Sequence, residues 1–265
     1  MVKSQSERGA KTRRSLHTRS LHDSMTIQIY SLAVAPHTTP IRSLCIENGL
    51  DFEIVETNPM TGAHKTSEFL KVTLLLSFSR KTRRPHLQDG SLLQMNPLHW
   101  VPTLKDGEFT MWESKSILRY VANKHQLEAW YPTEVQKRAT IDLALDFCAN
   151  IFQTICGPKL AYPAAGWAGP LSDEDKAKAE KHWNVDVVPA FEHIVKRNGG
   201  PLCGGTKPNI ADLAFIGQLV MVFGKCPESF VCKTVSVTAY YTAVKAALPK
   251  FAEAFGASEG FFKAG

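Results

Sequence analysis

Two places in the chain put hydroxyl or acidic side chains where a helix should begin. The first is Thr38–Thr39–Pro40, followed by Ile41, Leu44 and Cys45 along one face. Threonine suits an N-cap and proline the first helical position. Thr39 is therefore read as the cap and Gly49 as the stop. The second is Glu113–Ser114, which leads into SKSILRYVANKH. Free N–H groups and the helix dipole favour a bound carboxylate at such a start, so Ser114 is a candidate anion contact. Between them lie the basic pair His64–Lys65 and the dipeptide Val101–Pro102. Singly, these features are an ordinary N-cap, solvated charges and a strand proline. Their chemistry depends on what brings them together.

The six cysteines, Cys45, Cys148, Cys156, Cys203, Cys226 and Cys232, form no CxxC pair and no Cys/His group at zinc spacing. Most stand in apolar contexts such as LDFCANIF, and read as reduced, buried thiols. No metal is expected.

The elements that must position these groups follow from periodicity. TIQIY after Met25 and DFEIVET read as strands on either side of the Thr39–Gly49 helix. That order implies a parallel pair with a crossover helix. SEFLK ends a short helix. WVPTL and GEFTM read as strands joined by KDG, and a helix starts near Glu113. The result is a β-α-β-α-β-β-α domain over residues 25–125. From Tyr131 onward the pattern is helical, giving an all-α domain over 131–265. Apolar positions 141, 145, 148, 152 and 155 form one stripe. NIADLAFIGQLVMVFG is apolar all round, as a bundle's central helix is. Asn209 and Asp212 form a capping-box start for it, with Pro208 and Leu213 as the staple. TAYYTAVKAALPKFAEAF makes one or two closing helices.

The formal charge of +6 over 265 residues sits in two segments. Residues 1–24 carry a net +4 and residues 72–94 a net +3, which leaves the remainder near −1. A nucleic-acid face built from the folded body is thereby disfavoured. No apolar run reaches about 18 residues, so no membrane span is expected. Residues 1–24 read as a disordered basic leader of a cytoplasmic protein. The other reading is a mitochondrial transit peptide.

The stretches HKTSEFLK, MNPLHWVPTLKDGEFTMWESKSILRYV, YPTEVQKRATID and NIADLAF together resemble cytosolic glutathione transferases, the theta class in particular. The resemblance covers nearly everything from Met25 onward except 72–94. It implies a thioredoxin-like domain followed by a helical one, and glutathione as co-substrate. Val101–Pro102 resembles the family's cis-proline turn, whose backbone pairs with the ligand's cysteinyl unit. Glu113–Ser114 resembles the pair that grips the γ-glutamyl end, and His64 and Lys65 the pair that meets the glycyl end. Aligning TTPIR with the family's SQPSR puts Thr38 where a hydroxyl holds the reactive sulfur. Thr39 and Ser31 are the alternatives, because the loop from Tyr30 to Thr38 is longer than usual. Trp100 and Thr61 replace lysines common in theta members. Phe147, Ile151 and Trp167 are candidates for the electrophile pocket, or else core. The family's two-fold dimer is carried over. The activity implied is conjugation of glutathione to small electrophiles, with dehalogenase or peroxidase chemistry as side activities. The alternative is a non-catalytic association module resembling the elongation factor 1 gamma N-terminal region.

Residues 72–94, VTLLLSFSRKTRRPHLQDGSLLQ, interrupt this resemblance. Deleting these 23 residues joins Lys71 to Met95 and restores EFLKMNPLHWVPTL. The segment preserves frame, and its Val and Gln ends suit a translated, retained intron. A basic loop for an acidic partner or anionic lipid is the rival reading, and a solvated loop the plainest.

Overall fold

The computed structural model describes residues 26–63, 96, 98 and 100–264. The leader 1–24, the SEFLK helix and the insert 72–94 lie outside the described residues. β1 (Ile27–Ser31) alternates buried and half-buried side chains. It pairs in parallel with β2 (Phe52–Glu56), with Ile29 opposite Ile54. On its other side β1 runs antiparallel to β3 (Thr103–Asp106), with Ile29 opposite Leu104. β3 then pairs with β4 (Phe109–Trp112) through a tight turn at Gly107, whose φ is +60°. The sheet order is β2-β1-β3-β4. Trp100–Pro102 precedes β3 and is not part of it, since proline has no N–H for the ladder.

The crossover helix α1 (Thr39–Asn48) buries Ile41, Leu44 and Cys45 completely. It begins one residue earlier than expected. Thr38 is the N-cap residue and makes no capping side-chain bond, while Thr39 Oγ1 donates to Ala35 O at 3.3 Å. Gly49 closes the helix at φ +63°, a conformation that costs glycine little. α2 (Ser114–Lys124) packs Ile117, Leu118 and Val121 onto the sheet domain's core.

From Val135 the elements are helical. α3 (Val135–Phe147) runs on through two widened turns, Cys148–Phe152 and Cys156–Ala161, as one stretch to Ala164. By length and composition alone this stretch could cross a membrane, although charged side chains interrupt it at Lys137, Arg138, Asp142 and Asp146. Its Ile141, Leu145, Cys148 and Phe152 are core residues. α4 (Asp173–His182) continues through a wide turn, Trp183–Val187, into α5 (Val188–Lys196). Pro189 follows that turn, and a proline ring excludes the normal bond to the preceding turn. α6 (Ile210–Lys225) is buried from Ile210 to Val222. α7 (Phe230–Lys233), α8 (Val235–Ala247) and α9 (Phe251–Lys263) complete the chain. Of the one or two closing helices expected, the structure has two, parted at Leu248–Pro249.

The two domains are tied by polar contacts. Arg119 on α2 donates to Asp142 Oδ1 at 2.6 Å and Asp146 Oδ1 at 2.9 Å on α3. Arg42 on α1 donates to the Ala254 carbonyl on α9.

Candidate functional site

A cleft of about 330 Å³ opens between the sheet domain and α3, at the small end of ligand sites. One wall is Trp100, Val101 and Pro102, with a cis bond between Val101 and Pro102. Asn96 holds this segment. It is fully buried, and its Nδ2 donates to Trp100 O at 2.8 Å and Thr103 Oγ1 at 3.1 Å, while Oδ1 accepts from Leu98 N. Thr103 Oγ1 also donates to Trp100 O at 2.9 Å. The loop is thus shaped by two side chains, leaving the Val101 backbone beside the cleft.

The second wall is the start of α2. Glu113 stands ahead of it at φ +69°, ψ +105°, exposed, and Ser114 is the first helical residue. The helix start, whose first N–H groups have no partner within the helix, thus lies at the cleft that Glu113 and Ser114 line. Lys115 is the next residue, almost wholly buried, and Nζ donates to Gln153 Oε1 on the α3 stretch at 2.6 Å. Burial pulls the Lys115 pKa down, and the nearby Cys148 and Glu113 oppose that.

The third wall comes from the loop after β1, and here the geometry departs from expectation. Thr38 is fully buried, and its Oγ1 lies 2.6 Å from Ser31 Oγ. With no exposed surface, neither hydroxyl can touch a ligand sulfur unless the loop rearranges. Thr39, also fully buried, faces Ala35. The residue that lines the cleft is His37. Burial, then the charge of Lys115, push its pKa down to about 3, so the ring is neutral at physiological pH.

The loop is seated on α6. A Cβ on Gly217 would lie 2.5 Å from Pro36 O and 2.7 Å from Pro40 Cγ. One obstacle is a backbone carbonyl of the loop and the other a proline ring at the head of α1. Gly217→Ala should therefore cost about 1–3 kcal/mol through overpacking, read as a lowered denaturant midpoint, and displace the His37 loop.

The cleft's face on α3 is Ala149 and Gln153, one turn apart. Phe147 and Ile151 border a separate apolar groove with Ala190 and Ile194. Trp167 packs with Tyr162, Phe261 and Phe262 at ring distances of 6.0–6.4 Å. None of these three candidates lines this cleft; for Phe147 and Ile151 the reason is that side chains two residues apart on a helix face different ways. His64 and Lys65 lie outside the described residues. Sequence reading missed His37, Asn96, Lys115, Gly217 and Gln153. A buried glutamine, Gln218, in the apolar middle of α6 was the available hint.

The family model for the glutathione S-transferase N-terminal domain matches residues 35–124. Glutathione S-transferase 3 of Zea mays is 30% identical over 179 residues, 65% of this chain and 68% of that protein. Human glutathione S-transferase theta-2 is 28% identical over 200 residues, covering 74% and 71%. A solved Nilaparvata lugens delta-class glutathione transferase superposes with a TM-score of 0.69 at 23% identity, covering 90% of this chain and 97% of that one. That last likeness speaks for the fold.

Proposed function

The chain belongs to the glutathione S-transferase family, and on that premise we propose that the cleft binds glutathione and activates it for attack on small electrophiles. The observation that carries this is the meeting of the Val101–Pro102 backbone and the Glu113–Ser114 helix start in one cleft. The ligand's cysteinyl backbone pairs with Val101 as an added strand. Its γ-glutamyl carboxylate takes the α2 N–H groups and the Ser114 hydroxyl, and its amine takes Glu113. His64 and Lys65 are assigned the glycyl end on resemblance alone. Lowering a thiol pKa from about 8.5 by two units needs roughly 2.7 kcal/mol of preferential thiolate stabilisation. The sulfur lone pair then forms the C–S bond as the leaving group departs with its electrons. The non-catalytic association module is not favoured, since the relatives are named transferases.

We further read the protein as a two-fold dimer in the cytoplasm that clears electrophiles. The exposed apolar side chains Met60 and Phe109 support the dimer, and six free cysteines support a reducing compartment. Light scattering tests the first and cell fractionation the second.

Calorimetric titration of the full chain with glutathione should show one site per chain with micromolar to millimolar affinity. Mixing the complex with an aryl chloride should then release chloride. Absence of binding both in the full chain and in a chain lacking 72–94 would overturn the reading. Binding only after the deletion would assign the defect to the insert.

A further inference from the structure

Gln218 needs an explanation. It is almost wholly buried in α6, among residues that are apolar from Leu213 to Val222 apart from it and Gly217. A buried amide is costly unless it is hydrogen-bonded. Its Nε2 lies 3.3 Å from His37 Nδ1, across 181 residues of chain. An amide nitrogen can only donate. Nδ1 therefore accepts, and the proton of the neutral ring sits on Nε2. With Nδ1 turned to α6, the Nε2 side is the one left for the cleft that His37 lines. Gly217, next to Gln218, lets the loop approach closely enough for this contact.

We propose that His37 is the catalytic donor, its Nε2–H holding the glutathione sulfur as thiolate, and that Gln218 is the positioning residue that fixes its tautomer. This rests on the glutathione reading above. His37 does not act as base, because Nε2 already carries a proton and Nδ1 is engaged. The thiol proton leaves to solvent, the imidazole keeps its own, and the sulfur pair attacks the electrophilic carbon while the leaving group takes the bonding electrons. The groups around the ring agree with a donor role. Lys115 supplies positive charge from α2, Glu113 is the acid at the same helix start, and α6 and α3 offer the uncharged Gln218 and Gln153. The depressed basicity of His37 keeps the ring neutral, so its donor role does not switch off across the pH range in which the thiol ionises.

The test is the pKa of enzyme-bound glutathione, followed by ultraviolet thiolate absorbance against pH in the full chain. In His37→Phe, which keeps a ring and loses the N–H, that pKa should rise by about 1–2 pH units. kcat/KM should fall on the order of 10²-fold, with glutathione affinity retained. His37→Gln should recover part of both. Gln218→Leu should raise the bound-thiol pKa by a smaller amount, and Thr38→Val should leave it where it is. An unchanged bound-thiol pKa in a folded His37→Phe, or a rise in Thr38→Val equal to that expected for His37→Phe, would overturn the inference alone. A wild-type chain that binds no glutathione would overturn the parent reading instead.

Discussion

Asp212→Ala should remove about 3–5 kcal/mol of stability, a large part of the roughly 5–15 kcal/mol that holds a domain folded. The Asp212 carboxylate is fully buried at the third position of α6. Oδ2 accepts from Asn209 N at 2.9 Å, closing the capping box in which Asn209 Oδ1 accepts from Ala211 N at 2.8 Å. Oδ1 accepts from Cys203 N at 2.9 Å and from the Tyr240 hydroxyl at 2.7 Å. One side chain thus joins the loop before α6, the helix start and α8. Burial raises its pKa, and the hydrogen bonds act against that rise. Truncation leaves three donors facing a void. Each unsatisfied buried donor costs about 1–3 kcal/mol, with relaxation keeping the total below the sum.

Asp212→Asn should cost less than Ala but not restore the wild type. An amide keeps one acceptor oxygen and turns an N–H₂ group toward a backbone N–H, so one contact becomes a donor facing a donor. Denaturant unfolding followed by tryptophan fluorescence would read both variants. Trp183, buried beside Phe152 and bonded through Nε1 to Thr234, is a reporter in the same domain. A loss below about 1 kcal/mol for Asp212→Ala would show that the network is not holding the domain.

The capping box also shows what kind of feature a sequence reveals. Asn209 and Asp212 stand three residues apart, and the chemistry of a helix start is local. The same holds for Gly49, and for Ser114 at the head of α2. The parallel pairing of β1 with β2 across the crossover helix follows in the same way from the strand–helix–strand order. What was not legible depends on distant contacts. Aligning TTPIR by its proline puts Thr38 at the reactive position, but the longer loop winds through turns at Ala35 and Thr38. Thr38 is thereby packed against Ser31 and His37 is left at the surface of the cleft. The seat for that loop is Gly217 and Gln218, some 180 residues away, and no local pattern announces it. Helix phase, by contrast, was legible: the stripe at 141, 145, 148, 152 and 155 is buried, while Ala149 and Gln153 line the cleft and Phe147 and Ile151 border another groove.

Glu113→Gly should make the fold no less stable while weakening glutathione binding about 10- to 100-fold. Glu113 occupies φ +69°, ψ +105°, a region that costs a residue with a Cβ about 1–3 kcal/mol. Glycine enters it freely, at an entropic cost of about 0.5–1 kcal/mol. The net effect on unfolding free energy should lie between about zero and +2.5 kcal/mol. The carboxylate is a different matter. It is exposed at the cleft mouth and makes no capping bond to α2, so the helix does not need it. If it holds the γ-glutamyl amine, its loss removes a charge-assisted contact of about 1.5–3 kcal/mol, which is the affinity change stated. Glu113→Ala separates the two effects, since alanine keeps the strained backbone and lacks the carboxylate. It should lose affinity as glycine does, with no gain in stability. Paired unfolding and calorimetric titrations of the two variants would read this directly. Glycine and wild type binding glutathione alike would remove Glu113 from the site. A glycine variant less stable than alanine would mean that the backbone there is held by contacts, not strained against them.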